Sequence, residues 1–219
     1  MNLLQKKGER LRFRVMNPSG SEIYRFAIAG HKLTVTHADS LPVKPVEVDT
    51  FEITPGERYD VLVNADNPGV WAVAAVPSDE GKSKGGFALL KYSDAKGTTS
   101  PNANQVPTEL TGRRLSYNQL VSLEPMPQSN APRRSIDVTL SGGMMSYEWT
   151  INGETYPNAK PFEIRAGERI RLNMINRSMM RHPMHLHGHS FRVLHSNSGN
   201  AAPLKDTIIV NHMERIDVE

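Results

Sequence analysis

The sequence predicts an all-β protein built from two sandwich units, and three observations carry that prediction. Apolar residues recur with a period of two, turn-forming clusters interrupt them at short intervals, and two blocks of the chain repeat one another. Alternation is plainest at 10–16, where Leu11, Phe13 and Val15 share one face while Arg10, Arg12 and Arg14 share the other. KLTVTHA, RYDVLVNA, IRLNMIN and FRVLHS behave alike, and TIIV is a short apolar run between turns. NPSG, ADNPG, SGG and NGETYPNAKP supply the breaks. Many short strands at this spacing specify a sandwich or barrel. Helical periodicity extends no further than a turn or two near 116–123.

Three regions follow: a β-rich block at 1–92, a connection at 93–134 and a second β-rich block at 135–219. The connection is dominated by Ser, Thr, Pro, Asn and Gln, the composition of a segment running over a surface. The two blocks read as copies. GERLRFRVMN at 8–17 matches GERIRLNMIN at 167–176, and GHKLTV at 30–35 matches GHSFRV at 188–193. Asp49-Thr50 matches Asp206-Thr207, and ERYDV at 57–61 matches ERIDV at 214–218. These landmarks keep their order while the offset drifts only from 159 to 157.

Composition excludes several kinds of chemistry. The chain has no cysteine, which removes disulfides, thiol catalysis and any copper–thiolate bond made by these residues alone. Net charge is only +3 and the basic residues are scattered, so a nucleic-acid surface is not expected. No apolar run reaches the length of a membrane span or a signal peptide.

Four of the eight histidines fall in HPMHLHGH, residues 182–189. Aligned on the shared GH, the first copy reads YRFAIAGH, so Tyr24, Ala27 and Ala29 stand opposite His182, His185 and His187. The scaffold builds this strand without those three imidazoles, which marks them as metal ligands. His189, shared with His31, reads as structural. Residues two apart on a strand face the same way, so His185 and His187 can serve neighbouring metal positions. His182 precedes Pro183, is held extended, and can project elsewhere. Neutral imidazole suits zinc, copper, iron and nickel, and an HxH pair alone does not choose among them. HExxH is absent, and the HxHxDH pattern of binuclear hydrolases fails at His189 and Ser190.

HPMHLHGHSFRV resembles the HPxHLHGH motif of the multicopper oxidases, a family that includes laccases and copper-resistance oxidases. FAIAGHKLTVTHAD, PVEVDTFEITPGERYDVLVNADNPGVW and LSGGMMSYEWTINGETYP are similar to the copper-resistance branch. The resemblance implies two cupredoxin-like Greek-key sandwiches. Residues 1–92 correspond to the latter part of a second domain without copper, and 135–219 to most of a third. It implies His182 as a type 1 copper ligand, His185 as a type 2 ligand and His187 as a ligand of the type 3 pair, with no separate catalytic residue. It also implies dioxygen as oxidant, a phenol-like compound or Cu(I) as reductant, and a periplasmic or extracellular address. The family's first domain and its HCHxxxHxxxGM-type segment have no counterpart here. Both sandwiches are therefore expected to be truncated, and the chain inactive by itself, oligomeric or completed by another chain. A non-catalytic mononuclear copper or zinc site at His185 and His187 is the alternative.

Ten methionines, among them Met144, Met145, Met179, Met180 and Met184, read mainly as packing. His37, His195 and His212 have no partner at ligand spacing. Trp71 and Trp149 read as core anchors, and Asp206 as a turn or strand-start residue like Asp49.

Overall fold

A computed structural model describes the chain except for residues 1, 79–84, 94, 96–98, 103, 125–132, 144, 146–147 and 196–200. The chain separates into two compact units, Met1–Leu120 and Val121–Glu219. The first unit holds β1 (Asn2–Gln5), β2 (Arg10–Met16), β3 (Tyr24–Ile28), β4 (Leu33–Ala38), β5 (Leu41–Val48) and β6 (Phe51–Ile53). It continues with β7 (Arg58–Asn64), β8 (Val70–Pro77) and β9 (Gly86–Tyr92). Two sheets form, in the orders β1-β9-β8-β3-β6 and β2-β7-β4-β5. Their apolar alternation supplies one core: Ile28, Phe51 and Leu90 come from the first sheet, and Leu33, Val35, Val61 and Val63 from the second. Phe51 packs between Phe26 and Tyr59, with ring centroids 5.4 and 5.1 Å away. Two sheets sharing an apolar interior make a sandwich, as the period-two pattern requires.

The second unit holds β10 (Arg133–Gly143), β11 (Glu148–Ile151), β12 (Glu154–Thr155), β13 (Arg169–Asn176) and β14 (His182–His185). It also holds β15 (Phe191–Leu194), β16 (Leu204–Lys205), β17 (Thr207–Val210) and β18 (Arg215–Val218). One sheet runs β12-β11-β10-β13-β18-β15-β16, and β14 pairs with β17. The last four strands of that sheet reproduce β2-β7-β4-β5, and β14-β17 reproduces β3-β6. The copies agree to the residue. Val15 faces Tyr59 as Met174 faces Ile216. Phe26 faces Phe51 as Met184 faces Ile208, and Leu33 faces Val48 as Phe191 faces Lys205. Because a one-residue slip would send every side chain to the opposite face, retained register means retained inside and outside.

The same asparagine closes both copies. Asn17, 3% exposed, donates to the carbonyls of Glu22 (2.7 Å) and Ile53 (2.9 Å) and accepts from the Ser19 amide (3.0 Å). Asn176, 1% exposed, donates to Met180 (2.5 Å), Val210 (3.1 Å) and Asn211 (2.9 Å), and accepts from the Ser178 amide (2.8 Å). The GH corner is left-handed in both, at Gly30 (φ 69) and Gly188 (φ 73). A Cβ at Gly30 would also sit 2.7 Å from Asn67 and 2.9 Å from Trp71.

The polar segment 93–134 divides between the units, and part of it lies outside the described residues. Leu110, Leu115 and Leu120 are buried in the first unit. The Leu115 amide donates to Thr50 (3.0 Å), the Arg113 amide to the Asp49 carboxylate (2.7 Å), and the Tyr117 hydroxyl to Glu57 (2.7 Å). Three leucines spaced by five fit neither the strand nor the helix period, so a polar composition concealed them. Short 3-10 turns occupy Thr108–Thr111 and Tyr117–Gln119. Ser122 and Glu124 instead bond Ala201 and Arg192 of the second unit. Trp149 corrects an expectation. It is 40% exposed on β11, whose outward-facing residues leave it no core to fill.

Leu120→Ala should cost about 3 kcal/mol, a buried leucine's worth of transfer and cavity energy. Urea denaturation checks this; a change below about 0.5 kcal/mol would mean that the segment is only loosely laid on the unit. Asn176→Ala should cost about 2 kcal/mol by stranding buried carbonyls. Hydrogen exchange should then rise across β14 and β17 while β3 and β6 stay protected.

Candidate metal centre

The histidine segment is held by its neighbours in the second unit. β14 runs antiparallel to β17 with His182 opposite Val210 and His185 opposite Thr207. Asn176 ties the two strand ends together through Met180, Val210 and Asn211. Pro183 fits a strand position paired along one edge, because it has no amide proton to give a second neighbour.

His182 sits beside the Ser178 hydroxyl, Nε2 to Oγ 2.7 Å, and its ring meets Trp149 edge-on at 5.4 Å and 81°. Burial pushes its pKa below the ordinary histidine value, which favours the neutral imidazole that a metal requires. His185 has different company. Its Nδ1 lies 2.9 Å from the Asp206 carbonyl and 3.0 Å from the Thr207 hydroxyl, which in turn donates to the Asp206 carboxylate at 2.8 Å. A carbonyl oxygen only accepts, so Nδ1 carries the proton and Nε2 keeps its lone pair for a metal. Outer partners of this kind fix the tautomer of metal-binding histidines. His187 lies in the turn before Gly188, its ring 4.9 Å from that of His185 and inclined by 51°. Leu186, between them, lines an apolar groove with Phe191 and Val218, as alternation demands.

The structure therefore brings His185 and His187 together and gives His182 separate surroundings. Among the described residues, no group of three or more His, Cys, Asp or Glu side chains converges on one ion. The donor chemistry still fits copper, since imidazoles with oriented lone pairs are among its preferred ligands.

The copy without these histidines explains itself. His31 is 5% exposed; its Nδ1 donates to the Ala29 carbonyl (2.8 Å), and its Nε2 accepts from the Tyr92 hydroxyl (2.7 Å). Both ring nitrogens are used, so none remains for a metal. Its counterpart His189 is exposed and lines the groove, so the structural role expected of both histidines is seen only at His31. Asp49 is paired with Lys32 at 2.5 Å; Ser190 stands at the lysine's place in the second copy, where the Asp206 backbone orients His185. Sequence reasoning missed Asn176, Ser178 and Trp149 at this site. The first two were findable, because Asn-x-Ser recurs at 17–19 and 176–178. Met180 contributes its carbonyl to the asparagine, and Met144 lies outside the described residues.

Comparison with known proteins gives a consistent result. Family models described as multicopper oxidase match residues 1–95 and 129–219. The multicopper oxidase MmcO of Mycobacterium tuberculosis is 40% identical over 207 residues, 94% of this chain and 40% of that protein. Copper resistance protein A of Escherichia coli is 25% identical, across 94% of this chain and 50% of that one. Among solved structures, McoA multicopper oxidase of Aquifex aeolicus superposes with a TM-score of 0.70 at 25% identity, over 99% of this chain and 49% of that one. The laccase of Botrytis aclada does so with a TM-score of 0.77 at 21% identity, over 100% and 48%. The chain spans about half the length of the relatives it matches.

His31→Ala should destabilise the first unit by about 2 kcal/mol, because it removes the acceptor of the Tyr92 hydroxyl and the donor to the Ala29 carbonyl. It should leave metal uptake unchanged. Thermal unfolding and copper titration of the same sample check both halves; lost copper uptake in a folded His31→Ala chain would contradict the assignment.

Proposed function

The chain belongs to the multicopper oxidase family, and from that premise we propose that residues 182–187 supply ligands to two kinds of copper centre. His182 is a ligand of the type 1 copper, which receives electrons from a reductant. His185 is a ligand of the type 2 copper and His187 of the type 3 pair, in the cluster where dioxygen is reduced to water. The carrying observation is the division of three histidines into one ring beside Ser178 and Trp149 and two rings 4.9 Å apart. Copper, when bound, would supply one-electron redox chemistry. The protein's own part is to hold the imidazoles, orient their ring nitrogens and keep the two places distinct.

The two units are cupredoxin-like sandwiches, and the first carries none of the three histidines. With no cysteine among the 219 residues, the thiolate of a type 1 centre has to come from elsewhere. On this reading the chain binds copper without turning over. Oxidation of a phenol-like compound or of Cu(I) belongs to an assembly that adds a cysteine and further histidines, in a periplasmic or extracellular setting. A second reading, a non-catalytic mononuclear copper or zinc site, draws on the same proximity of His185 and His187.

Copper(II) titration of the 219-residue chain should show binding without an intense blue thiolate-to-copper absorption. His185→Ala combined with His187→Ala should remove most of the uptake, and His182→Ala should remove a separate portion. An intense blue band from the pure chain would contradict the ligand set. Loss of all binding in the double variant would favour the mononuclear reading.

A further inference from the structure

We infer that Ser178 is a positioning residue: its hydroxyl accepts the Nε2–H of His182, locks that tautomer, and leaves Nδ1 as the nitrogen that faces a metal. The inference rests on the reading of His182 as a ligand and adds the residue that orients its ring.

The argument is an accounting of one proton. Ser178 Oγ is buried among four polar neighbours: Asn176 Oδ1 at 2.9 Å, the Met180 carbonyl at 3.2 Å, the Met180 amide at 3.2 Å and His182 Nε2 at 2.7 Å. Two of the four, the amide oxygen of Asn176 and the carbonyl of Met180, can only accept. A serine hydroxyl has a single proton to give. If it went to His182, its lone pairs would face both oxygens with nothing between them. Given to Asn176, it leaves Oγ to accept from the Met180 amide and from His182. Only a proton on Nε2 completes that arrangement. Nδ1 is then bare.

The first copy shows that the serine has been re-aimed. Ser19 stands at the same place in the Asn-x-Ser turn, and its hydroxyl donates to the Glu22 carbonyl at 2.8 Å. Met180 is the counterpart of Glu22, and there the distance has opened to 3.2 Å while Oγ lies nearer Asn176 and His182. Tyr24 occupies the histidine's place in the first copy. A turn that serves only the fold in one copy thus doubles as an outer partner in the other. Since Nδ1–H of His185 donates to Asp206, the two ends of β14 present opposite nitrogens, Nδ1 at His182 and Nε2 at His185. An outer partner of this kind is typically worth tenfold or more in metal affinity.

Nitrogen-15 NMR of the histidine side chains tests this in the intact, metal-free 219-residue chain near neutral pH. The wild type should show His182 protonated on Nε2, with that proton protected from solvent exchange. Ser178→Ala should lose the protection, and Ser178→Thr, which keeps a hydroxyl, should restore it. The Nδ1-protonated tautomer of His185, held by Asp206, reports in the same spectra that β14 and β17 remain paired. Zinc(II), a diamagnetic probe, should shift Nδ1 of His182 in the wild type, with affinity at that residue falling about tenfold in Ser178→Ala. A proton on Nδ1 of wild-type His182 would overturn the inference, as would full protection of Nε2–H in Ser178→Ala. A protected Nε2–H with no zinc response at His182 would uphold the hydrogen bond and refute the ligand assignment instead.

Discussion

An extended strand turns successive side chains to opposite faces, and this alternation decides what the histidine segment can hold. His182 and His185 are an odd number of residues apart, so one backbone cannot aim both at one point. His187 lies just beyond the strand, in the turn before Gly188, and its ring meets that of His185. The backbone is fixed in that state by pairing with β17, by Pro183, and by the asparagine that fastens both strand ends. Everything proposed about the site depends on that fixed strand: two places, served by one short segment, each with its own partner for the ring nitrogen not facing the metal.

Duplication supplies an internal control for the same point. The first copy keeps the register, the left-handed corner and the buried asparagine, yet has Tyr24, Ala27 and Ala29 where the second has histidines. The former set recurs in both copies and the latter does not. Where a histidine does serve the fold, as His31 does, both ring nitrogens are consumed by protein partners. At His185 the protein engages Nδ1, through the Asp206 carbonyl and the Thr207 hydroxyl. His31 and His185 thus differ in how many ring nitrogens the protein itself engages.

Most of the sandwich was legible because period two and turn residues are local signals. Leu11, Phe13 and Val15 announce β2 without reference to anything distant. The repeat then extended those local signals to pairing, since equal offsets imply equal registers. Two features were hidden. Leu110, Leu115 and Leu120 lie in a polar stretch, and only the position of the first unit's core makes them apolar anchors. Trp149 looked like a core residue by its size, but β11 lies where its side chains face outward, and the indole meets His182 instead. The proposed ligands were readable as residue types at a spacing. Their tautomers were not, because a ring's proton is set by neighbours as far along the chain as Asp206 is from His185.

The central claim is that His182, His185 and His187 serve copper and not the fold. Writing the first copy's residues into the second tests it in one protein: His182→Tyr, His185→Ala and His187→Ala together. Thermal unfolding and copper uptake are then measured on that triple variant beside the wild type. The account predicts a chain that folds with a melting temperature within a few degrees of wild type and takes up no copper at this segment. A variant that fails to fold, or one that folds and binds copper as the wild type does, would contradict it.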